Sequence, residues 1–105
     1  MVFIETPIFT DQIQKLLSDE EYRSLQRALL LRPEQGPLIK GSGGLRKVRW
    51  GAKGKGKRGG LRVIYYWHEE EEIFYMIFSY PKSAKDDLTP SQLKELSRIV
   101  RKEFK

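Results

Sequence analysis

Cationic side chains are concentrated in the middle of the chain, where they could bind or cleave a phosphate ester. Residues 35–68 contain nine Lys or Arg residues and no Asp or Glu. Arginine can hold two phosphate oxygens at once and stays charged, whereas lysine offers a point charge or a transferable proton. Because no acidic sequence neighbour neutralises these cations, we expect a negatively charged ligand to bind there.

Two short segments with the alternation of β-strands carry many of these cations. Residues 45–50 and residues 61–67 flank a loop composed almost wholly of glycine and cations, which predicts a β-hairpin with a long tip over residues 53–58. Side chains alternate between the two faces of a strand. Lys47 and Arg49 therefore share one face of the first strand, and Arg62 shares a face of the second strand with Ile64 and Tyr66.

Arg62 is the most informative residue of this hairpin. Its neighbours Leu61, Val63 and Ile64 are apolar, and a buried charge that lacks a partner is costly. The Arg62 side chain must therefore reach either a structural salt bridge or an open cleft. Two interpretations also remain for the cations of the loop, which are either solvated or bound to phosphates. The loop cations are Lys53, Lys55, Lys57 and Arg58.

Other patterns in this region have structural explanations. Residues 54–59 match G-x-G-x-x-G, but a dinucleotide-binding site needs a helix after the glycines and here a strand follows. The four glutamates at residues 69–72 are interpreted as a tight, solvated connection, and His68 beside them as a surface residue. For the aromatic residues of the two later strands, core packing is favoured over base stacking. These are Tyr65, Tyr66, Trp67, Phe74 and Phe78.

Composition restricts the class of protein. At 105 residues the chain is predicted to form a single domain, residues 1–105. The net charge of +6 favours RNA, DNA or an acidic protein as partner. The absence of cysteine excludes a disulfide scaffold and a cysteine nucleophile, and a single histidine disfavours a zinc site. The amino terminus resembles neither a signal peptide nor a membrane span, so we expect a cytoplasmic protein without a membrane partner.

The remaining segments predict an α+β fold. Residues 2–5 form a β-prone run, and Thr6-Pro7 is a typical helix start. Ser18 and Glu21 have the spacing of a capping box that begins a second helix, which ends before Pro33. Residues 73–80 indicate a central strand, and Thr89-Pro90 begins a terminal helix. The predicted order is β-α-α-β-β-β-α, with a small, mostly antiparallel sheet, two N-terminal helices and a C-terminal helix.

Three separated stretches together resemble the HigB branch of the RelE/ParE toxin superfamily. They are residues 43–50 (Gly-Gly-Leu-Arg-Lys-Val-Arg-Trp), residues 53–67, and residues 80–89 (Tyr-Pro-Lys-Ser-Ala-Lys-Asp-Asp-Leu-Thr). The resemblance spans nearly the whole chain and implies a RelE-like fold. It also implies a toxin of a type II toxin–antitoxin system that cleaves mRNA codons in the ribosomal A site. One departure is that Leu88-Thr89 stands where toxins of the RelE branch carry a tyrosine; Tyr80 is another tyrosine that could take part.

The resemblance implies a catalytic set of four cations, which are Lys47, Arg49, Arg62 and Lys82. RNA supplies its own nucleophile, the 2′-hydroxyl, so the enzyme need only position it, stabilise the phosphorane and move protons, with no metal or cofactor. Arg49 and Arg62 suit charge stabilisation, and Lys47 or Lys82 could transfer protons. The predicted RNA- or ribosome-binding residues are Arg46, Lys53, Lys55, Lys57, Arg58 and Lys85.

The same resemblance implies the partners. They are the ribosome, mRNA and a cognate antitoxin, expected to be a HigA-like DNA-binding protein, and the toxin alone is expected to be monomeric. Two alternatives remain, a non-catalytic gyrase inhibitor of the ParE branch and a plain RNA-binding module. Cleavage requires the four catalytic cations to converge on one concave patch, whereas simple binding tolerates a spread-out surface.

Overall fold

The predicted order of elements agrees with the structure, a computed structural model that describes residues 2–52, 56–84 and 88–104, excluding the side chains of residues 52, 56–59, 103 and 104. The elements are β1 (Val2–Glu5), α1 (Pro7–Leu16), α2 (Asp19–Leu31), β2 (Arg46–Ala52), β3 (Gly56–His68), β4 (Ile73–Pro81) and α3 (Pro90–Phe104). The α+β class is therefore confirmed. Among the described residues, no helix is both long enough and apolar enough to span a membrane.

The four strands form one mixed sheet in the order β1-β4-β3-β2. The β2–β3 and β3–β4 pairs are antiparallel, whereas β1 runs parallel to β4. The sheet is thus mostly, but not purely, antiparallel. β1 and β2 lie at its two edges, and β4 is a central strand as predicted.

Capping side chains set the helix starts at the predicted positions. Thr6 Oγ1 accepts a hydrogen bond from the backbone of Phe9, and the side chains of Ser18 and Glu21 form the reciprocal capping box of α2. At α3, Thr89 and Gln92 bond reciprocally in the same way. These bonds satisfy backbone N–H groups that have no partner inside the helix.

Each face of the sheet has its own hydrophobic core. On one face, α1 and α2 bury Phe9 and Leu25 against Val63 and Tyr65. On the other, which we call the α3 face, Val100 packs with Leu45, which directly precedes β2, and with buried residues of the sheet. Those sheet residues are Ile64, Ile77 and Tyr80. The aromatic residues assigned to the core all pack in these two clusters, as predicted.

The segment between α2 and β2, residues 32–45, is fastened to the sheet. The backbone N–H of Lys47 donates to the carbonyl of Pro37 at 3.1 Å. The Tyr65 hydroxyl donates to the carbonyl of Pro33 at 2.7 Å and accepts from the N–H of Gly36 at 3.1 Å. Burial raises the pKa of Tyr65, which keeps this hydroxyl protonated as a donor. We call this segment the connector; it forms a wall beside β2.

The predicted extent of the hairpin tip is wrong in part. β2 continues to Ala52 and β3 begins at Gly56, and these two residues are Cα partners. Lys57 and Arg58 therefore belong to a strand rather than to a loop, while Lys53 and Lys55 lie outside the described residues. Ladder hydrogen bonds join backbone groups, so a glycine- and cation-rich sequence can extend a strand where composition alone predicts a loop.

Candidate functional site

The pairing of β2 with β3 brings Arg49 and Arg62 together. The two are Cα partners, and Lys47 pairs with Ile64 two positions away. Directly paired residues of an antiparallel sheet extend their side chains from the same face, with Cβ atoms about 4.5–5.5 Å apart. Because Ile64 belongs to the core beneath α3, both arginines and Lys47 lie on the α3 face.

Arg62 is fixed in place by its surroundings. Its side chain is 1% exposed and is the largest fully buried side chain among the described residues. Its Nη1 donates to the carbonyl of Leu61 at 3.3 Å, and its own carbonyl accepts a hydrogen bond from Ser79 Oγ. On the β4 side its Cα partner is Tyr80, which is also buried. Arg62 therefore stands between the exposed Arg49 and a buried tyrosine.

Lys82 directly follows β4 and lies beside Gly60 of β3. Its backbone N–H donates to the carbonyl of Gly60 at 3.0 Å, two residues before Arg62. The side chains of Lys47 and Lys82 are both half-buried. The four cations expected to catalyse cleavage thus occupy neighbouring positions on β2, on β3 and just after β4.

Two pockets adjoin this cation cluster at Lys47. One has a volume of about 400 Å³ and is lined by Arg32, Gln35, Pro37, Lys47, Val48 and Arg49. The other, of about 230 Å³, is lined by Ile39, Lys40, Lys47, Leu88 and Leu93. Among the residues that the structure describes, every charged residue that lines these two pockets is a cation, which favours an anionic ligand.

Arg46 has a different environment from the four clustered cations. It lies on the opposite face of β2, and its guanidinium donates to the carbonyls of Glu34 and Gly36 and to Glu34 Oε2 at 3.2 Å. Its side chain is only 16% exposed. These contacts tie Arg46 to the connector. The backbones of Lys57 and Arg58 belong to β3, and Lys53, Lys55 and Lys85 lie outside the described residues.

His68 lies far from the cation cluster along β3. It pairs with Ile73 at the opposite end of the strand from Leu61 and Arg62. Its Nδ1 accepts a hydrogen bond from the backbone N–H of Glu71 at 3.3 Å. His68 is thus the half-buried last residue of β3, bonded to the turn that follows, rather than the surface residue expected from the sequence.

Sequence reasoning does not single out two residues near the cluster, Arg32 and Lys40. It names Tyr80 as a tyrosine that could take part, but no motif reveals that Tyr80 pairs with Arg62. Arg32 precedes the proline after α2, and Lys40 belongs to no motif. Only the register of the strands and the docking of the connector could have identified them, and neither is encoded in a local pattern.

Comparison with known proteins agrees with this fold. The family model described as the RelE toxin of the RelE/RelB toxin–antitoxin system matches residues 11–105. An arginine double mutant of the E. coli toxin RelE, solved in the free state, has a similar fold, with a TM-score of 0.61 at 13% sequence identity over 98% of this chain and 97% of that chain. Because the family model matches most of the sequence, this chain belongs to the RelE toxin family of toxin–antitoxin systems.

Proposed function

We propose that this protein is a ribosome-dependent endonuclease that cleaves mRNA codons in the ribosomal A site. Membership of the RelE toxin family supports the reaction class, because RelE toxins are in general endoribonucleases that cleave mRNA. The observation that carries the proposal is the pair formed by Arg49 and Arg62 across β2 and β3. A pair of like charges facing each other weakens a sheet, so its presence is better explained by binding of an anion than by folding.

The proposed reaction uses the 2′-hydroxyl of the substrate. This hydroxyl gives up its proton, its oxygen forms a bond to the adjacent phosphorus, and the bond to the 5′-oxygen breaks as that oxygen takes up a proton. The products are a 2′,3′-cyclic phosphate and a 5′-hydroxyl. No oxidation or reduction is involved, so the enzyme supplies only position, charge and proton transfer.

The arginines stabilise the charge that develops on the phosphorane. Arg62 is preorganised because it is buried and bonded to the Leu61 carbonyl, and a fixed cation need not reorganise as charge develops. Arg49 is exposed and can close on the phosphate when RNA binds. Lys47 and Lys82 flank this pair and serve as the proton-transfer groups.

The remaining cations have separate roles in this proposal. Lys53, Lys55, Lys57, Arg58 and Lys85 bind RNA or the ribosome. Arg46 is assigned to holding the connector, because Glu34 and Gly36 already occupy its guanidinium. We further propose that the partner is an antitoxin of the HigA type and that this toxin belongs to the HigB branch of its superfamily, as the three sequence motifs suggest.

Mapping of mRNA 5′ ends tests the proposal. The protein is expressed briefly from a tightly controlled promoter, and transcripts are sequenced from cells with active translation and from cells in which initiation is blocked. We expect cuts at a fixed position within codons only when ribosomes translate the message. Arg49→Ala should abolish the cuts, whereas Arg98→Ala, which removes an exposed cation of α3 bonded to Glu95, should leave them. Toxicity without cuts would refute the proposal in favour of a non-catalytic inhibitor.

A further inference from the structure

Two cationic pockets that share Lys47 lie against β2, and together they are called the β2 groove. Among the residues that the structure describes, its charged residues are Arg32, Lys40, Lys47 and Arg49. Arg32 and Lys40 lie in the connector rather than in the sheet, and both are exposed. The groove therefore adds two cations to the ones that the proposed reaction uses.

The wall of this groove is held rigidly. Gly36 packs so tightly that a Cβ atom there would lie 3.0 Å from Tyr65 Cε1 and 3.1 Å from the carbonyl oxygen of Lys47. The hydrogen bonds from the Tyr65 hydroxyl to Pro33 and from Lys47 to Pro37 fasten the same wall. A preformed groove loses less entropy when a ligand binds than a mobile one does.

Two negative features near the groove are already compensated. The carboxyl end of α2 presents carbonyl groups that would repel an anion, but Gln35 Nε2 donates to the carbonyls of Ala28 and Arg32 at 2.7 and 3.2 Å. The Glu34 carboxylate pairs with Arg46 at 3.2 Å. Neither of these two features therefore cancels the positive potential of the groove.

We propose that the β2 groove binds backbone phosphates of RNA next to the reacting phosphate, with Arg32 and Lys40 as the binding residues. This inference rests on the proposed function, since it extends the same site. An RNA strand that reacts at Arg49 and Arg62 must continue on both sides of the cleaved bond. The groove begins at Arg49 itself and leads away past Lys47, which makes RNA a better occupant than an acidic peptide.

The test is the salt dependence of RNA binding by the double variant Arg32→Ala/Lys40→Ala. One arm uses a short single-stranded RNA with 2′-O-methyl groups, which cannot be cleaved because its nucleophile is blocked. The other arm uses vacant ribosomes. If each residue binds one phosphate, the slope of log K against log salt should decrease by about 1.4 for the single strand. Circular dichroism verifies the fold, and Arg32→Lys should restore part of the slope.

The matched control is Arg23→Ala/Lys94→Ala, which removes the same charges from exposed positions on α2 and α3. A reduced slope with the oligonucleotide supports binding of substrate phosphates, whereas a reduction with vacant ribosomes alone assigns Arg32 and Lys40 to ribosomal RNA and overturns the proposal. An unchanged slope in both arms, or an equal loss in the control, overturns the proposal. So does a double variant that loses affinity only for the antitoxin.

The two proposals fail in different ways. If the wild-type protein makes no cuts in mRNA but Arg32→Ala/Lys40→Ala still has a smaller slope of log K against log salt than wild type, the reaction is refuted and the groove proposal stands. If mRNA is cut and the slope does not change, the reaction stands and the groove is refuted.

Discussion

Arg49 and Arg62 are directly opposed across β2 and β3, with one guanidinium exposed and the other 1% exposed. Like charges in opposed positions destabilise an antiparallel pair, and a buried cation adds a desolvation cost. Such local conflicts with folding stability are expected at functional sites. The pair thus links an electrostatically unfavourable contact in the sheet to the chemistry proposed for it.

The first prediction is that Arg62→Leu removes activity while the protein stays folded. Leucine removes the buried charge, its desolvation cost and its repulsion from Arg49, but it also removes the Nη1 bond to the Leu61 carbonyl. We expect cooperative urea unfolding together with complete loss of mRNA cleavage. Arg62→Lys should keep the charge but lose the planar guanidinium, which can bond two phosphate oxygens at once, and therefore lose most of the activity.

The opposite result would assign Arg62 to the fold. If Arg62→Leu is strongly destabilised, the side chain serves a structural interaction rather than the reaction. A folded Arg62→Leu variant that still cleaves mRNA would remove this residue from the site. Arg98→Ala is the control: it shows how much the urea midpoint and mRNA cleavage change when an exposed cation is lost.

The second prediction concerns Gly36. Because a Cβ there would meet Tyr65 and the backbone of Lys47 at 3.0–3.1 Å, Gly36→Ala should push the connector from β2 and cost about 1–3 kcal/mol. Tyr65→Phe should destabilise too, since it deprives the N–H of Gly36 and the carbonyl of Pro33 of their partner. Urea titration measures both, and an unchanged midpoint for Gly36→Ala would show that the connector is loose.

The third prediction is a loss of stability at alkaline pH that depends on Tyr22. The Tyr22 hydroxyl donates to Glu5 Oε2 at 2.7 Å, and burial followed by this bond raises the pKa of Tyr22 above its ordinary value of 10.0. Above pH 10 the tyrosine ionises in the unfolded chain but stays protonated in the native one. The unfolded state then binds fewer protons, so the free energy of unfolding falls as pH rises.

Urea unfolding from about pH 8 to about pH 11 checks this, because that range spans the ordinary tyrosine pKa. The contribution is fully present below pH 10 and is lost above it. Tyr22→Phe should remove this part of the decline, whereas Tyr75→Phe, on the α3 face and outside the contact with Glu5, should keep it. Equal pH profiles for Tyr22→Phe and wild type would contradict the assignment.

The order of helices and strands was predictable from local signals, whereas the set of residues that meet at the site was predictable only in part. Capping boxes and apolar stripes depend on residues three or four apart, and they marked α2 and α3 correctly. The face shared by Lys47 and Arg49 followed from alternation within one strand. The opposition of Arg49 and Arg62 depends on the register between β2 and β3, which shifts between Trp50 and Ala52. Likewise, no local pattern reveals that Arg32 lies beside β2, because connector docking is a tertiary contact.

The fourth prediction concerns the cations of residues 53–58. If Lys53, Lys55 and Lys57 bind phosphates, changing all three to Gln should weaken ribosome binding and flatten its salt dependence, because fewer counterions are released. The measurement is ribosome co-sedimentation over a range of salt concentrations. A solvated segment would give the same slope as wild type, and Arg23→Ala/Lys94→Ala again serves as the control.

The final prediction concerns where the antitoxin binds, since two different surfaces are suitable. The cation cluster at Arg49 attracts an acidic segment. The edge strand β1 offers backbone groups for strand addition, and it carries Val2 and Ile4, which are 53% and 44% exposed. Beside it, Ile8 lines a pocket of about 190 Å³ together with apolar residues of β4 and α3. Charge favours the first surface and apolar exposure the second.

Hydrogen exchange of the toxin with and without its antitoxin distinguishes the two surfaces. An acidic segment over the cluster should protect residues 45–62, and inhibition would then follow from direct competition with RNA. An added strand should protect residues 2–5, and inhibition would follow from bulk, because a toxin that carries a folded partner would no longer enter the A site. Ile4→Lys should weaken only the second mode, and Arg49→Glu only the first. Protection in neither region would contradict both modes, since each requires new backbone contacts or burial at its own surface.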